Sequence, residues 1–426
     1  MRHTIAVIGL GYVGLPIALE FAKKFKVVGF DINSDRIAQM RRHKDPSKEL
    51  PPSAFEGCDI TFTDKVNDLQ ECSFYIVAVP TPIGSTNSPN LKPLISASKI
   101  VGQVLSKGDF VVYESTVYPG CTEEDCIPIL EEESGLTRTV DFNFGYSPER
   151  INPGDKDRTI CDIVKVVSGD TEQSSAMIEA VYKSIITAGV HVAPTVKVAE
   201  ASKVIENAQR DMNIAFANQL AMIFERMDID TQSVFEAAAT KWNFSPFQPG
   251  LVGGHCIGVD PYYLIDKAQK LDLSPKLILS SRETNEEVPR FLAQKLARML
   301  KSRDVDANGA KVLVQGVTFK ENVSDIRNSK VFDLITQLKQ IGFDVDAIDP
   351  HADPHEVEAE YGVKLCSLES LRDQYQGVVI AVAHDEYVSQ NPLTFEKLVA
   401  QNGAIMDIKG ICHNAHILAG CEYWRM

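Results

Sequence analysis

The chain has 426 residues, 44% hydrophobic and 24% charged, with a formal net charge of −15. That length implies two or three domains at roughly 100–200 residues each, and the composition is that of a globular protein with a real core. The acidity argues against nucleic acid, whose phosphates repel a chain of this sign, but not against a small anion held by local cations and backbone amides. The nine cysteines include no C-x-x-C pair, Cys121 and Cys126 standing closest. They form neither a disulfide framework nor a zinc pattern, so a reducing cytoplasm fits and no metal is expected. The opening run Thr4–Gly9 is too short for a signal peptide, and no stretch of about 20 apolar residues suggests a membrane span.

In chain order, short apolar runs first alternate with helical patterns. Ile5–Ile8, Val27–Phe30, Phe74–Val79, Phe110–Glu114 and Phe142–Tyr146 read as strands, with amphipathic stretches such as Leu15–Phe25 and Leu94–Leu105 among them. This alternation predicts a mostly parallel sheet covered by helices on both faces. From Val198 to Met227 the pattern becomes one long helix, without internal Gly or Pro. More helix follows to Ala239 and across Arg290–Met299, with no convincing strand. Strands return at Lys311–Val317, Val345–Ile348 and Val378–Val382, after a plausible linker at Arg303–Gly309. The expected fold is α/β: two Rossmann-like doubly wound domains joined by a central helical domain with a long spine helix. The expected bounds are 1–195, 196–302 and 303–426.

Gly9-Leu10-Gly11-Tyr12-Val13-Gly14 follows a predicted strand and opens a predicted helix. In a dinucleotide site, Gly9 permits the tight turn, Gly11 lets a pyrophosphate approach the backbone, and Gly14 lets helix and strand pack closely. The helix N-terminus then faces the anion. The second strand ends in Asp31, 22 residues after Gly9. A carboxylate there accepts from a ribose diol and repels a 2′-phosphate, which favours NAD over NADP. The later α/β unit lacks this fingerprint; Gly316-Val317-Thr318-Phe319-Lys320 suits a different anion.

Gly253-Gly254-His255-Cys256-Ile257-Gly258-Val259-Asp260 surrounds one cysteine with three glycines, so backbone can approach a ligand there. A thiolate captures an aldehyde as a thiohemiacetal; hydride loss gives a thioester that water cleaves. The bland alternative is a small buried hydrophobe. Lys203 and Asn207 share a helix face and could together hold an oxyanion, or belong to an ordinary solvated face beside Glu206 and Arg210. Ser147-Pro148-Glu149-Arg150 closes a strand at the edge where such folds bind ligands; Glu149 could activate water, or sit in a surface turn.

Together these residues resemble the UDP-glucose/UDP-mannose dehydrogenase family across essentially the whole chain. The likeness rests on Gly9–Pro16, Val79-Pro80-Thr81-Pro82, Glu114-Ser115-Thr116, Ser147–Arg150, Glu200–Asn207, Gly253–Asp260 and Phe319-Lys320 through Asp325 and Arg327. It implies an NAD-binding domain, a helical dimer spine and a UDP-binding domain, and a four-electron oxidation of a sugar alcohol using NAD twice. It makes Cys256 the nucleophile, Lys203 and Asn207 the oxyanion holders, and Asp260 a base working with ordered water. Glu149 would serve thioester hydrolysis, with Thr116 ordering that water. The resemblance extends cofactor contacts to Tyr12, Val13, Arg36, Thr81, Thr116 and Arg327. Sugar-nucleotide contacts would come from Glu149, Arg150, Lys203, Asn207, Phe247, Gly253, His255, Phe319 and Lys320.

Several departures from the glucose-type pattern point to the N-acetylhexosamine branch. Arg150-Ile151-Asn152-Pro153-Gly154 follows the glutamate, His255 precedes the cysteine, and Thr240 replaces an arginine thought to cross the dimer. The run Trp242–Phe247 also resembles that branch, which includes UDP-N-acetylglucosamine and UDP-N-acetylgalactosamine oxidation in Vi-type and O-antigen pathways. Arg150 and His255 are candidates for meeting the acetamido group. Other substrates of the family, UDP-N-acetylmannosamine and UDP-glucose, stay open. A β-hydroxyacid dehydrogenase would need neither the cysteine loop nor the last domain. An epimerase would need a Tyr-x-x-x-Lys base, which Tyr263 and Lys267 match by spacing alone. A non-catalytic, NAD-responsive binding protein would leave Lys203, Asn207, Cys256 and Asp260 unexplained.

Overall fold

The computed structural model describes all residues except 1–2, 48, 85–86, 152–157, 372–373, 390–396 and 413–419; Asn152, Pro153 and Gly154 therefore lie outside the described residues. The chain forms two compact units, one of residues 1–207 with 262–274, the other of 208–261 with 275–426.

In the first unit the strands are β1 (Ile5–Ile8), β2 (Val27–Phe30), β3 (Ile60–Thr63), β4 (Phe74–Val77), β5 (Phe110–Tyr113), β6 (Asn143–Tyr146), β7 (Lys165–Gly169) and β8 (Val190–Val192). They form one sheet in the order β3-β2-β1-β4-β5-β6-β7-β8. The first six run parallel, and β7 returns antiparallel to β6, pairing Gly145 with Gly169 and Tyr146 with Ser168. Every residue of β1, β2 and β4 is buried, as a parallel strand covered on both faces requires. The helices are α1 (Gly14–Ala22), α2 (Ser34–Met40), α3 (Lys92–Gly102), α4 (Ile127–Ser134) and α5 (Glu172–Lys183). The Asn33 side chain accepts from the Asp35 and Arg36 amides and starts α2; Thr171 and Ser174 form a reciprocal cap on α5. Caps of this type contribute about 1 kcal/mol each.

Next come α6 (Val196–Arg226), α7 (Thr231–Ala239), α8 (Asp260–Lys270) and α9 (Lys276–Lys301). The boundary between the units falls within α6, after Asn207. Among the described residues no strand lies between β8 and residue 311, as the helical middle of the sequence suggested. The second unit's sheet contains β9 (Lys311–Gln315), β10 (Asp344–Ile348), β11 (Tyr375–Ile380), β12 (Val399–Asp407) and β13 (Glu422–Arg425). Its order is β10-β9-β11-β12-β13, all parallel. Helices α10 (Lys330–Ile341), α11 (Pro354–Tyr361) and α12 (Asp385–Val388) connect them.

Both sheets are of the expected doubly wound kind. The sequence reading missed β3, β7, β8, β12 and β13, all at or toward sheet margins, where runs are short, carry charge or, in β12, are broken by Gln401-Asn402-Gly403. It also began a helix at Arg290, whereas α9 begins at Lys276 and runs through Pro289. Val288, Pro289, Leu292 and Leu296 are buried there, and that tertiary packing outweighs the hydrogen bond an internal proline removes. No helix among the described residues is long and apolar enough to cross a membrane.

A buried polar cluster ties α6 to α9 in the second unit. Arg282 Nη1 donates to Asp211 Oδ1 (2.6 Å), and Asn285 Nδ2 donates to the same oxygen (2.7 Å). Asn218 Nδ2 donates in turn to Asn285 Oδ1 (2.9 Å) and to the Gly250 carbonyl (3.0 Å). Both Asp211 and Arg282 are almost completely buried. Arg282→Met should cost about 3–5 kcal/mol, because Asp211 would be left buried without its ionic partner. Urea unfolding followed by circular dichroism should show a lower midpoint at unchanged slope; an unchanged midpoint would contradict this account.

Candidate functional site

The glycine turn after β1 has the geometry expected of it. Gly9 adopts φ +90°, and a Cβ on Gly14 would lie 1.8 Å from the Gly9 carbonyl oxygen, so only glycine lets α1 start this close to β1. A Cβ on Gly11 would meet no protein atom, which leaves this backbone open to approach. Val13, at the start of α1, supplies no side-chain cap, and the first N–H groups of such a helix suit an anion. Asp31 Oδ2 accepts from the Leu10 amide (3.0 Å) and Oδ1 from the Asn33 amide (2.9 Å). Its carboxylate is thereby fixed beside the turn. Arg36 Nη2 donates to the Leu10 carbonyl (2.8 Å), and Tyr12 and Val13 are partly exposed in the same turn. The turn lies at the carboxyl end of β1, next to β4, where strand order reverses and nucleotides bind such sheets. These residues fit a dinucleotide.

Farther along the same sheet edge, β5 is followed by Glu114, Ser115 and Thr116, and β6 by Ser147 and Glu149. The antiparallel register of β7 brings its first residue, Lys165, to this edge as well. Lys165 Nζ lies 2.9 Å from Glu114 Oε2 and 3.1 Å from Glu149 Oε2. Tyr182 donates its hydroxyl to Glu114 Oε1. Glu149 Oε1 accepts from the Arg150 and Ile151 amides, both at 2.6 Å. All three charged groups are buried, so Glu149 is not in a surface turn. Burial, with the nearby Glu149 charge, pushes the Glu114 carboxyl up to about 7 against the pull of Lys165. Burial works against the Lys165 ammonium, but the two carboxylates hold its pKa above the ordinary value. The sequence reading missed Lys165. The available signal was a lysine inside the apolar run Val164–Val167, a place that a solvated charge does not choose.

On α6, Glu200, Lys203, Asn207 and Asp211 follow helix spacing and are all buried. The solvated-face alternative for Lys203 and Asn207 is therefore wrong. Glu200 accepts from the Gly120 (2.5 Å) and Thr122 (2.9 Å) amides, anchoring the segment that follows the half-buried Thr116. Burial raises its carboxyl to about 7. Arg150 is tied down: Nη2 pairs with Glu206 Oε1 (2.8 Å) and Nη1 donates to the Val164 carbonyl (2.9 Å). Tyr263 donates its hydroxyl to the Thr81 carbonyl (2.9 Å), while Lys267 pairs with Glu124 (2.6 Å). These two residues hold loops in place and are not an epimerase-type base.

In the second unit, Cys256 lies partly exposed in a turn whose carbonyl accepts from the Val259 (3.0 Å) and Asp260 (2.8 Å) amides. Asp260, buried, opens α8. Gly254 has φ +80°, and a Cβ on it would come within 2.7 Å of the Phe319 ring; the loop can pack onto Phe319 only as glycine. Gly253 touches Asn328, whose Nδ2 donates to the Gly254 carbonyl (2.9 Å). The His255 ring meets Phe319 edge-on, with Nδ1 3.5 Å from Asp325 Oδ2. Asp325 also holds Arg327 in a forked pair, with Nη2 to Oδ2 at 2.5 Å. Phe247 is half-buried, its amide bonded to the Ser245 carbonyl. A cleft between the ends of β9 and β11 is lined by Gly253, Thr318, Phe319, Lys320, Lys330 and Lys409. It is again the point where strand order reverses.

Asp349, which follows β10, grips the turn after β9 through the Val317 (2.6 Å) and Thr318 (3.2 Å) amides. The sequence reading passed over it because no glycine fingerprint announces the turn. His351, His384 and Glu386 come near one another. However, His384 Nδ1 accepts from the Asn322 amide (3.0 Å) and Nε2 bonds Asp349 (3.1 Å), so this ring is already committed at both nitrogens.

Comparison with known proteins extends over nearly the whole chain. Three domain models of the UDP-glucose/GDP-mannose dehydrogenase family match it: the NAD binding domain at residues 3–186, the central domain at 197–287 and the UDP binding domain at 313–414. The chain is 49% identical to UDP-N-acetyl-D-glucosamine 6-dehydrogenase of Pseudomonas aeruginosa, over 95% of this chain and 96% of that one. It is 47% identical to protein CapL of Staphylococcus aureus over the full length of both. The solved UDP-D-ManNAc dehydrogenase of Pyrococcus horikoshii superposes with a TM-score of 0.88 at 30% identity, covering 99% of this chain and 98% of that one. With its glycine turn, fixed Asp31 carboxylate and end-to-end match, this chain belongs to the UDP-glucose/GDP-mannose dehydrogenase family and is an NAD-dependent dehydrogenase.

Proposed function

We propose that the enzyme oxidises the C6 alcohol of a UDP-N-acetylhexosamine, UDP-N-acetylglucosamine or UDP-N-acetylgalactosamine, to the corresponding uronic acid. The observation that carries this reading is the placement of Cys256 in a glycine-built turn that leads directly into the buried Asp260. The extensive likeness to a UDP-N-acetyl-D-glucosamine 6-dehydrogenase supports the choice of sugar. When bound, NAD supplies the hydride acceptor for each of two oxidations. Cys256 attacks the C6 aldehyde and ends as the thiol half of a thioester. Lys203 and Asn207 donate to the C6 oxygen, and Asp260 takes protons through water. In the last step, water oriented by Thr116 loses a proton to Glu149 as its oxygen adds to the thioester carbon. The C–S bond breaks, the Cys256 sulfur leaves as thiolate, and the carboxylate is released.

The cofactor would lie on Gly9, Gly11, Tyr12, Val13 and Gly14, with Asp31 on the ribose and Arg36, Thr81, Thr116 and Arg327 around it. The UDP-sugar would take the cleft of Gly253, Phe319 and Lys320, with Phe247, Arg150 and His255 bordering the sugar. Of the acetamido candidates, Arg150 and His255 are both already held by protein partners. We keep the division into domains 1–195, 196–302 and 303–426, which the matched segments support. The product has an activated UDP leaving group, suited to glycosyl transfer into a bacterial surface polysaccharide. Nine cysteines without a disulfide suit the cytoplasm. The exposed apolar residues Phe216 and Ile223 on α6, with Met227 just after it, suit a second copy of this chain as partner.

Four outcomes are expected. The protein given NAD and UDP-N-acetylglucosamine, UDP-N-acetylgalactosamine, UDP-N-acetylmannosamine or UDP-glucose should yield two NADH per sugar, fastest with one of the first two; Cys256→Ala should form no carboxylate yet still bind NAD. One NADH per sugar would favour a simple hydroxyacid dehydrogenase, and binding without turnover the NAD-responsive binding protein. Asp31→Asn should weaken NAD and relax discrimination against NADP, read by calorimetric titration; unchanged NAD affinity would remove Asp31 from the ribose. Ile223→Glu should convert a dimer to monomer in light scattering, whereas a wild-type monomer would refute the shared interface.

A further inference from the structure

We infer that Lys165 is a positioning residue for thioester hydrolysis, fixing the Glu149 carboxylate so that one oxygen, Oε2, is the atom that accepts the proton of water. The inference rests on the proposed role of Glu149. A carboxylate oxygen offers two lone pairs. On Oε1 both are taken, by the Arg150 and Ile151 amides at 2.6 Å. On Oε2, the Lys165 ammonium at 3.1 Å occupies one. Among the described residues nothing else bonds that oxygen, so its second lone pair is the one that can meet water.

Lys165 can do this only because β7 pairs antiparallel with β6. The register of β7 against β6, continued past Tyr146 and Ser168, sets Lys165 across from Glu149. On its other side Lys165 is held by Glu114 Oε2 at 2.9 Å, and Glu114 is held by the Tyr182 hydroxyl. Glu114 therefore acts as the counter-ion that keeps Lys165 in place, while Glu149 alone of the three stands on the segment leaving β6. Without Lys165 the Oε1 amide bonds alone would have to aim the Glu149 carboxylate, and a base misaligned by about 1 Å loses roughly a hundredfold in rate.

The test uses the full-length enzyme with NAD and UDP-N-acetylglucosamine, comparing wild type, Lys165→Met, Glu114→Gln/Lys165→Met and Glu149→Gln. The double variant preserves the net charge of the cluster, so it remains informative if the single variant does not fold. Both Lys165 variants should show a first-turnover burst of NADH, then a steady-state kcat about a hundredfold below wild type with KM little changed. Intact mass after acid quench should show the acyl adduct on Cys256. Lys165→Arg, which keeps a cation, should recover part of the rate. Wild-type turnover without adduct in the double variant overturns the inference, as does an adduct confined to Glu149→Gln. Should Glu149→Gln itself turn over at the wild-type rate, the reading beneath the inference fails instead.

Discussion

In a parallel sheet every strand ends at the same edge, so every loop that follows a strand leaves from one side. This constraint organises both units of the chain. In the first, Gly9, Asp31, Thr81, Thr116 and Glu149 are distant in sequence but follow β1, β2, β4, β5 and β6 in turn. In the second, Thr318, Phe319, Asp349 and His384 follow β9, β10 and β11 in the same way. The strand runs themselves are apolar because both faces are covered. Polar chemistry is thereby expelled to the strand ends, where backbone N–H groups and helix starts await it.

Each sheet secures its first turn with a carboxylate from the next strand in sequence. Asp31 bonds the Leu10 amide; Asp349 bonds the Val317 and Thr318 amides. The two devices are alike in position and differ in what remains accessible. Asp31 stands beside an open glycine turn, so its carboxylate can serve a ligand as well as the backbone. Asp349 is fully occupied by four backbone amides and His384, which also hold its carboxyl below the ordinary range despite burial. The second turn is consequently braced by the protein itself, and lysines line the neighbouring cleft.

Helix α6 shows how burial changes the meaning of a residue. Glu200, Lys203, Asn207 and Asp211 would read as a solvent face in an isolated helix. Packed, each must find partners, because an unsatisfied buried charge costs several kcal/mol, on the order of the penalty for losing one member of an ion pair. Glu200 finds backbone amides after Thr116, and Asp211 finds Arg282 and Asn285. The same helix thus anchors a loop of the candidate site in one unit and a structural ion pair in the other.

Much of this was legible from residues alone. The glycine spacing and Asp31 identified the dinucleotide turn, because only glycine tolerates the close approach at Gly14 and because that approach is local. Apolar runs located the central strands of both sheets, since full burial leaves an unbroken signature. The glycines around Cys256 marked a loop of close backbone approach for the same local reason, met at Asn328 and Phe319. What the sequence could not express were contacts made across the sheet or between helices: the antiparallel return of β7, the Glu114–Lys165–Glu149 cluster, and the passage of α9 through Pro289. Lys165 in an apolar run signals a buried charge, but its partners lie 51 and 16 residues away. Only the strand register, which depends on how every neighbouring strand is packed, decides that they meet.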